Sequence, residues 1–174
     1  MKSDVITIDN RGNGFEAALS EAEAAAKYRG LDGKQTLQLR ILTEELLGMV
    51  HSITGEMSCT FWIDSEGKAF TLHLATKTVM DAFKRYQLIS VSTENKNEAA
   101  KGFLGFLRDK FETAILSDSG ASGVWYDMNG IHLDEAPETE EWDRYERSIL
   151  RRLADEIKIS VRGGAVDMEV LKAF

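Results

Sequence analysis

Two stretches of this chain carry residues whose types and spacing could do chemistry. The first surrounds Glu44, in a helical stretch that starts at Asp32 or Gly33, runs to about Ile53 and is stopped by Gly55. At about 100° per residue, Leu39, Leu42, Leu46, Met49, Val50 and Ile53 share one face, which should pack on a core. Leu37, Ile41, Glu44 and Gly48 share roughly the opposite face. A glutamate set among aliphatics and a glycine suggests that this second face is partly covered, by another element or by a ligand. Glu44 is then a candidate acid–base group. The plain alternative is an exposed helix glutamate, which is how its neighbour Glu45 reads. Gly48 is unfavourable inside a helix by about 1 kcal/mol against alanine, so it marks either close packing or room for a ligand. The second stretch is Lys101-Gly102-Phe103-Leu104-Gly105-Phe106, where two glycines open a helix. Backbone N–H groups at such a start can face phosphate oxygens, with Lys96 and Lys101 adding charge. Close packing is the alternative for these glycines.

Other chemistries find no support. His51, His73 and His132 are scattered, without ligand spacing. Cys59 is the single cysteine, so it forms no intramolecular disulfide, and no Cys/His cluster suits a structural zinc. No nucleophile motif for Ser/His/Asp or Cys/His catalysis is present. The Trp125–Tyr126 pair reads either as an exposed partner anchor or as loop aromatics tucked onto the core.

The elements that must position these residues follow from periodicity. Val5 to Ile8 is a β-branched run ending in the turn-forming cluster Asp9 to Gly14. Phe15 to Tyr28 is an Ala- and Glu-rich helix, ended near Arg29 by Gly30 and Gly33. After the Glu44 helix, Met57, Cys59, Phe61 and Ile63 alternate with polar or exposed positions. The turn Asp64 to Lys68 leads to a second alternating run, Phe70 to Thr76. Thr78 to Asn97 is ambiguous: Val79 to Leu88 suits a short helix, and Ser90 to Asn95 reads as irregular. Ala99 to Leu116 has helical spacing in Phe103, Leu104, Leu107, Phe111, Ile115 and Leu116. Ser117 to Pro137 is a long loop. Glu138 to Glu156 reads as a helix with a Trp142, Tyr145, Ile149, Leu153 and Ile157 stripe. A hairpin turning at Gly163-Gly164 closes the chain. This order predicts an α+β fold: a two-layer α/β sandwich, with a mixed, mostly antiparallel sheet of about five strands and helices on one face. An unrelated sandwich would be preferred if the two hairpins belonged to separate sheets.

The element order resembles the histidine-kinase-like ATPase superfamily (the Bergerat fold), and within it the anti-sigma-factor serine kinases. The family pattern Ser-Glu-x-x-x-Asn-Ala-Val matches Leu42 to Val50, so Glu44 falls on the acid that acts as general base. Gly48 falls on the asparagine that binds magnesium, and supplies no oxygen ligand. The family's glycine loop corresponds to Lys101, Gly102, Phe103, Leu104 and Gly105. Its Asp-x-Gly-x-Gly, whose aspartate meets the adenine amino group, corresponds to the stretch from Leu74 to Asp81, with Thr76 and Asp81 as the nearest candidates and no glycine. The resemblance implies one ATPase domain over residues 1–174 with an insertion around 117–156, and ATP as ligand. Magnesium would be held through phosphate and water. The Thr78 to Asn97 segment would cover the nucleotide. The implied partner is a sigma factor or an anti-sigma antagonist, with phosphoryl transfer to a partner serine if the protein is active; homodimerisation stays open. The competing expectation is a non-catalytic protein-interaction module of the same fold that has lost the nucleotide.

Composition bounds these readings. The chain has 174 residues, is 43% hydrophobic and carries a formal charge of −8. That supports a core and argues against disorder and against a nucleic-acid surface. No apolar run is long enough for a membrane span and the start has no apolar signal region, so a soluble cytoplasmic protein is expected. The charge is uneven: residues 77–110 hold seven basic residues against four acids, so the proposed phosphate segment is locally basic. Residues 144–162 are equally basic, with six against three, and bear no motif.

Overall fold

The computed structural model describes residues 1–55, 58–101, 103–118 and 149–174. Five strands, β1 (Ile6–Ile8), β2 (Cys59–Glu66), β3 (Ala69–Lys77), β4 (Glu156–Arg162) and β5 (Ala165–Ala173), form one sheet in the order β1-β2-β3-β5-β4. All four strand pairs are antiparallel; the parallel component expected from the sequence is confined to an isolated bridge between Asn97 and Ile159. Pairing of β3 with β5 joins the two hairpins in one sheet, which removes the separate-sheet alternative.

Strict alternation makes the sheet two-faced. Cys59, Phe61 and Ile63, then Phe70, Leu72 and Leu74, then Ile157, Ile159 and Val161, then Val166, Met168 and Val170 are all buried on one side. Helices α1 (Phe15–Tyr28), α2 (Gly33–Thr54) and α3 (Ala82–Val91) contribute buried residues to the same core. The fold is therefore α+β, a two-layer sandwich. The other sheet face is half-exposed and polar, with Trp62 stacked on His73 at 4.8 Å between ring centres.

Local chemistry explains the helix ends. Asp9 accepts from the backbone N–H groups of Arg11 and Asn13 and from the Asn13 side chain, closing the turn before α1. Gly14 completes that turn at φ +92°, where a Cβ would lie 2.3 Å from the Thr7 carbonyl oxygen. The α1 face on the core is small: Ala18, Ala22, Ala25 and Ala26 are all 1% exposed or less, so the helix backbone approaches its neighbours closely. It ends in a Schellman motif, with Leu31 N–H donating to Ala26 and Gly30 N–H to Lys27. Asp32 and Gln35 form a reciprocal capping box that starts α2.

α3 resolves the ambiguous stretch after the first hairpin. It begins three residues later than the helix expected there, because Asp81 caps it by accepting from Lys84 N–H at 2.7 Å. α4 (Phe103–Asp118) begins later than the expected Ala99, after a separate 3-10 turn at Glu98–Ala100 capped by Asn97. At the far end the chain is helical over residues 149–153. It leaves the helix before Glu156, because Asp155 accepts from Ala173 N–H at 2.7 Å and its own N–H donates to the Leu171 carbonyl. Expectations for Met57, for the 117–137 loop beyond α4 and for Trp142 and Tyr145 fall outside the described residues.

Candidate functional site

One end of the sheet gathers Thr76, Asp81 and the approach to Lys101, while Glu44 and Gly48 lie ten and six residues before Thr54, about 15 and 9 Å up the α2 axis. Ile8, Cys59, Thr76, Val166 and Val161 form one register row across all five strands. Just beyond this row Thr78 meets the β4–β5 turn: its N–H donates to the Gly164 carbonyl at 2.9 Å, and a Cβ on Gly164 would lie 2.4 Å from the Thr78 oxygen. The α2 C-terminus reaches the same place, since the Thr54 carbonyl accepts from Thr78 Oγ1 and Lys84 Nζ, each at 3.3 Å. At the opposite edge of the row Asn97 grips Val161 (Oδ1 accepts its N–H at 2.8 Å, Nδ2 donates to its carbonyl at 2.9 Å). Six residues past Asn97 the chain enters the first turn of α4. The exit of β3, the C-terminus of α2, the start of α3 and the approach to α4 therefore share one end of the sheet.

Individual candidates fare differently. Glu44 is exposed on the outward face of α2, while its neighbour Glu45, expected to be the exposed one, is half-buried. Leu37 on the same face is 55% exposed, and Ile41 and Gly48 are half-buried. Close packing among the described residues does not explain Gly48: a Cβ there would meet none of their atoms within 4 Å. Thr76 is buried at the end of β3 and its hydroxyl donates to the Ser58 carbonyl at 2.8 Å. Asp81 is exposed and uses one carboxylate oxygen as the α3 cap. Lys101 is exposed and paired with Glu98, which raises its pKa above the ordinary lysine value. Gly102 and the side chains of Phe103 and Leu104 lie outside the described residues.

Gly105 has a packing reason. Its Cβ would sit 2.7 Å from the Ala99 oxygen and 3.1 Å from the Ala100 carbonyl carbon, so glycine lets α4 fold back onto the preceding 3-10 turn. The Thr78 to Asn97 segment is likewise built into the core and is no loose cover. Leu88 and Val91 are fully buried, and Thr93 exchanges two hydrogen bonds with Ile157 on the free edge of β4. These contacts also protect that edge from pairing with another chain.

No protein-family model matches the chain, and no curated protein is significantly similar to it. Among the described residues, no group of three or more His, Cys, Asp or Glu side chains is placed to hold a metal, and no helix is long and apolar enough to cross a membrane.

Sequence reasoning missed the polar network between α3, α4 and β4. Arg85 is 4% exposed, pairs with Asp109 and lies 3.7 Å from Glu112. Asn97 Nδ2 donates to the same Asp109 carboxylate at 2.6 Å. Glu112 accepts from Gly163 N–H and Arg108 Nε, and those bonds hold its pKa below the ordinary glutamate value against the opposing effect of burial. The only sequence signal was the capping chemistry of Asn97 two residues before Ala99.

Proposed function

We propose that this chain is an ATP-binding regulatory protein of the histidine-kinase-like type, nearest in kind to the anti-sigma-factor serine kinases, that acts through a protein partner. The observation that carries the reading is the convergence at one sheet end of the β3 exit, the α2 C-terminus and the approach to α4, in the element order of that superfamily. Gly48 supports it, since the position falls on the family's asparagine and a Cβ there would meet no described atom within 4 Å. In this reading the adenine lies near Thr76 and Asp81. The phosphates face backbone N–H groups at the start of α4, with Lys101 as the nearby cation. Glu44 orients an attacking water or a partner's serine hydroxyl. Gly48 offers magnesium no oxygen, so the metal would rest on phosphate and water.

The test is a thermal shift with millimolar ATP and Mg²⁺. Ligand at about a hundred times its Kd stabilises the folded state by about 2.7 kcal/mol, roughly 5–10 °C for a chain of this size. Unchanged Tm at millimolar nucleotide overturns the reading. Turnover that survives Glu44→Ala overturns the base assignment alone.

A second reading, a partner-binding module without nucleotide, is favoured by Gly105 and Thr76. Both have structural reasons that need no ligand. It predicts partner binding that is indifferent to ATP.

A further inference from the structure

Among the described side chains of α4, charge and hydrogen bonds dominate the contacts with the body. Along it Phe106 is 50% exposed, Leu107 48%, Phe111 68% and Ile115 52%, so the largest apolar side chains described on this helix lie largely outside the core. Beside Gly105 and the half-buried Leu116, the inward side carries Asp109 and Glu112. The nine-tenths-buried Arg85 guanidinium of α3 meets Asp109 and Glu112. Asp109 is held in turn by Asn97, which is bound to the Val161 backbone. Glu112 ties the middle of the helix to the β4–β5 turn through Gly163 N–H at 3.0 Å. One guanidinium nitrogen, Arg85 Nη1, has no hydrogen-bond partner among the described residues.

A network of this kind is sensitive to loss of any one member. Attraction between buried charges offsets their desolvation only while every partner is in place, and removing one leaves an uncompensated buried charge.

We propose that Arg85, Asn97 and Asp109 form a clamp that fixes α4 against α3 and β4, and that the engaged clamp is required for nucleotide binding. The second half rests on the ATP-binding reading above; the first half does not. Asn97 is the hinge point. It is bonded at once to β4, to Ala99 N–H and to Asp109, and it stands at the head of the stretch that delivers Lys101 and the first turn of α4. Movement of α4 therefore displaces the proposed phosphate contacts, while the β2–β3 hairpin and the α1–α2 layer keep their own buried core. These three are positioning residues: in this account none of them touches the ligand.

The experiment is hydrogen–deuterium exchange of the full chain, paired with calorimetric titration of MgATP, on the wild type, Asp109→Ala and Asp109→Glu. The expected result for Asp109→Ala is exchange at least tenfold faster across residues 103–118, with residues 59–77 at wild-type protection, and MgATP binding weakened at least tenfold. Asp109→Glu keeps the carboxylate within reach of Arg85 and should recover much of both losses, which a loss of packing alone would not produce. Faster exchange throughout the chain, or none in residues 103–118, overturns the clamp. Local loosening with MgATP affinity within twofold of wild type overturns its link to the ligand. A wild type that binds no MgATP but shows the local exchange pattern overturns the nucleotide reading and supports the clamp. Should Asp109→Ala fail to fold, Asp109→Asn, which removes the charge opposite Arg85 but keeps the side chain's size and an oxygen acceptor, is read against the same outcomes.

Discussion

Gly48 separates a site from a packing accident. It lies in the interior of a 22-residue helix, and a Cβ there meets no described atom within 4 Å. Alanine should therefore fit without displacing any described atom. It gains the helix-propensity difference of about 0.8–1.0 kcal/mol between glycine and alanine, much of which arises from restricting the unfolded chain. For a chain of this length each kcal/mol is worth about 2–4 °C, so Gly48→Ala should raise Tm by about 2–4 °C. Gly48→Asn should gain only a few tenths of a kcal/mol, because asparagine is a mediocre helix former. If the proposed ATP-binding reading holds, it would supply the oxygen ligand that histidine-kinase-like ATPases have at this position, so its signature is tighter binding of MgATP than of ATP without metal. Thermal unfolding and titration of the three proteins side by side are the assays. A Gly48→Ala chain less stable than wild type would refute the inference of open space. A Gly48→Asn chain with no metal-dependent gain would refute the placement of Gly48 on the magnesium position.

Three further outcomes are expected. Gly105→Ala should act in the opposite sense to Gly48→Ala and destabilise by about 1–3 kcal/mol through overpacking, because its Cβ would press on the Ala99 carbonyl; chemical denaturation of the two variants gives the contrast. Asp155 accepts from Ala173 N–H and then from Lys172, so its pKa lies below the ordinary value of 3.8. The unfolded chain therefore binds more protons at low pH, and this group's stabilisation is present above about pH 4 and lost as pH falls through the lower folded value. Asp155→Asn should reduce the acid-side loss of stability between pH 5 and 3, measured as urea midpoints. Burial pushes the Cys59 thiol up to about 11, so alkylation at pH 8 should be slow in the native protein and rapid in denaturant.

What was legible in the sequence was governed by local chemistry. The α1 limits Phe15 and Tyr28, the Asp32 cap of α2 and the turns at Gly67 and Gly163 all follow from residues within a few positions of one another. Alternation in both hairpins fixed which strand residues are buried. What was not legible depends on distant partners. Periodicity announced α4 but not what lies beneath it, and Leu107, Phe111 and Ile115 turn out to be exposed. The inward face is instead completed by Arg85, 24 residues before Asp109, and by Asn97, 64 residues before Val161. In the sequence Arg85 was one basic residue among seven. No local pattern distinguishes a buried, paired guanidinium from a solvated one, because burial of charge is decided by the partners that the fold supplies. For the candidate site the same limit applied in reverse. Glu44 and Gly48 share a helix face as their spacing requires, whereas the packing of Gly105 against Ala99 could only be seen once the turn before α4 was in place.

The central claim is that the end of the sheet shared by α2, β3 and the approach to α4 binds ATP. Isothermal titration of MgATP into the full chain tests it most directly. The account predicts a saturable heat with one nucleotide per chain, weakened when Lys101 is replaced by alanine. No heat at millimolar nucleotide would contradict it.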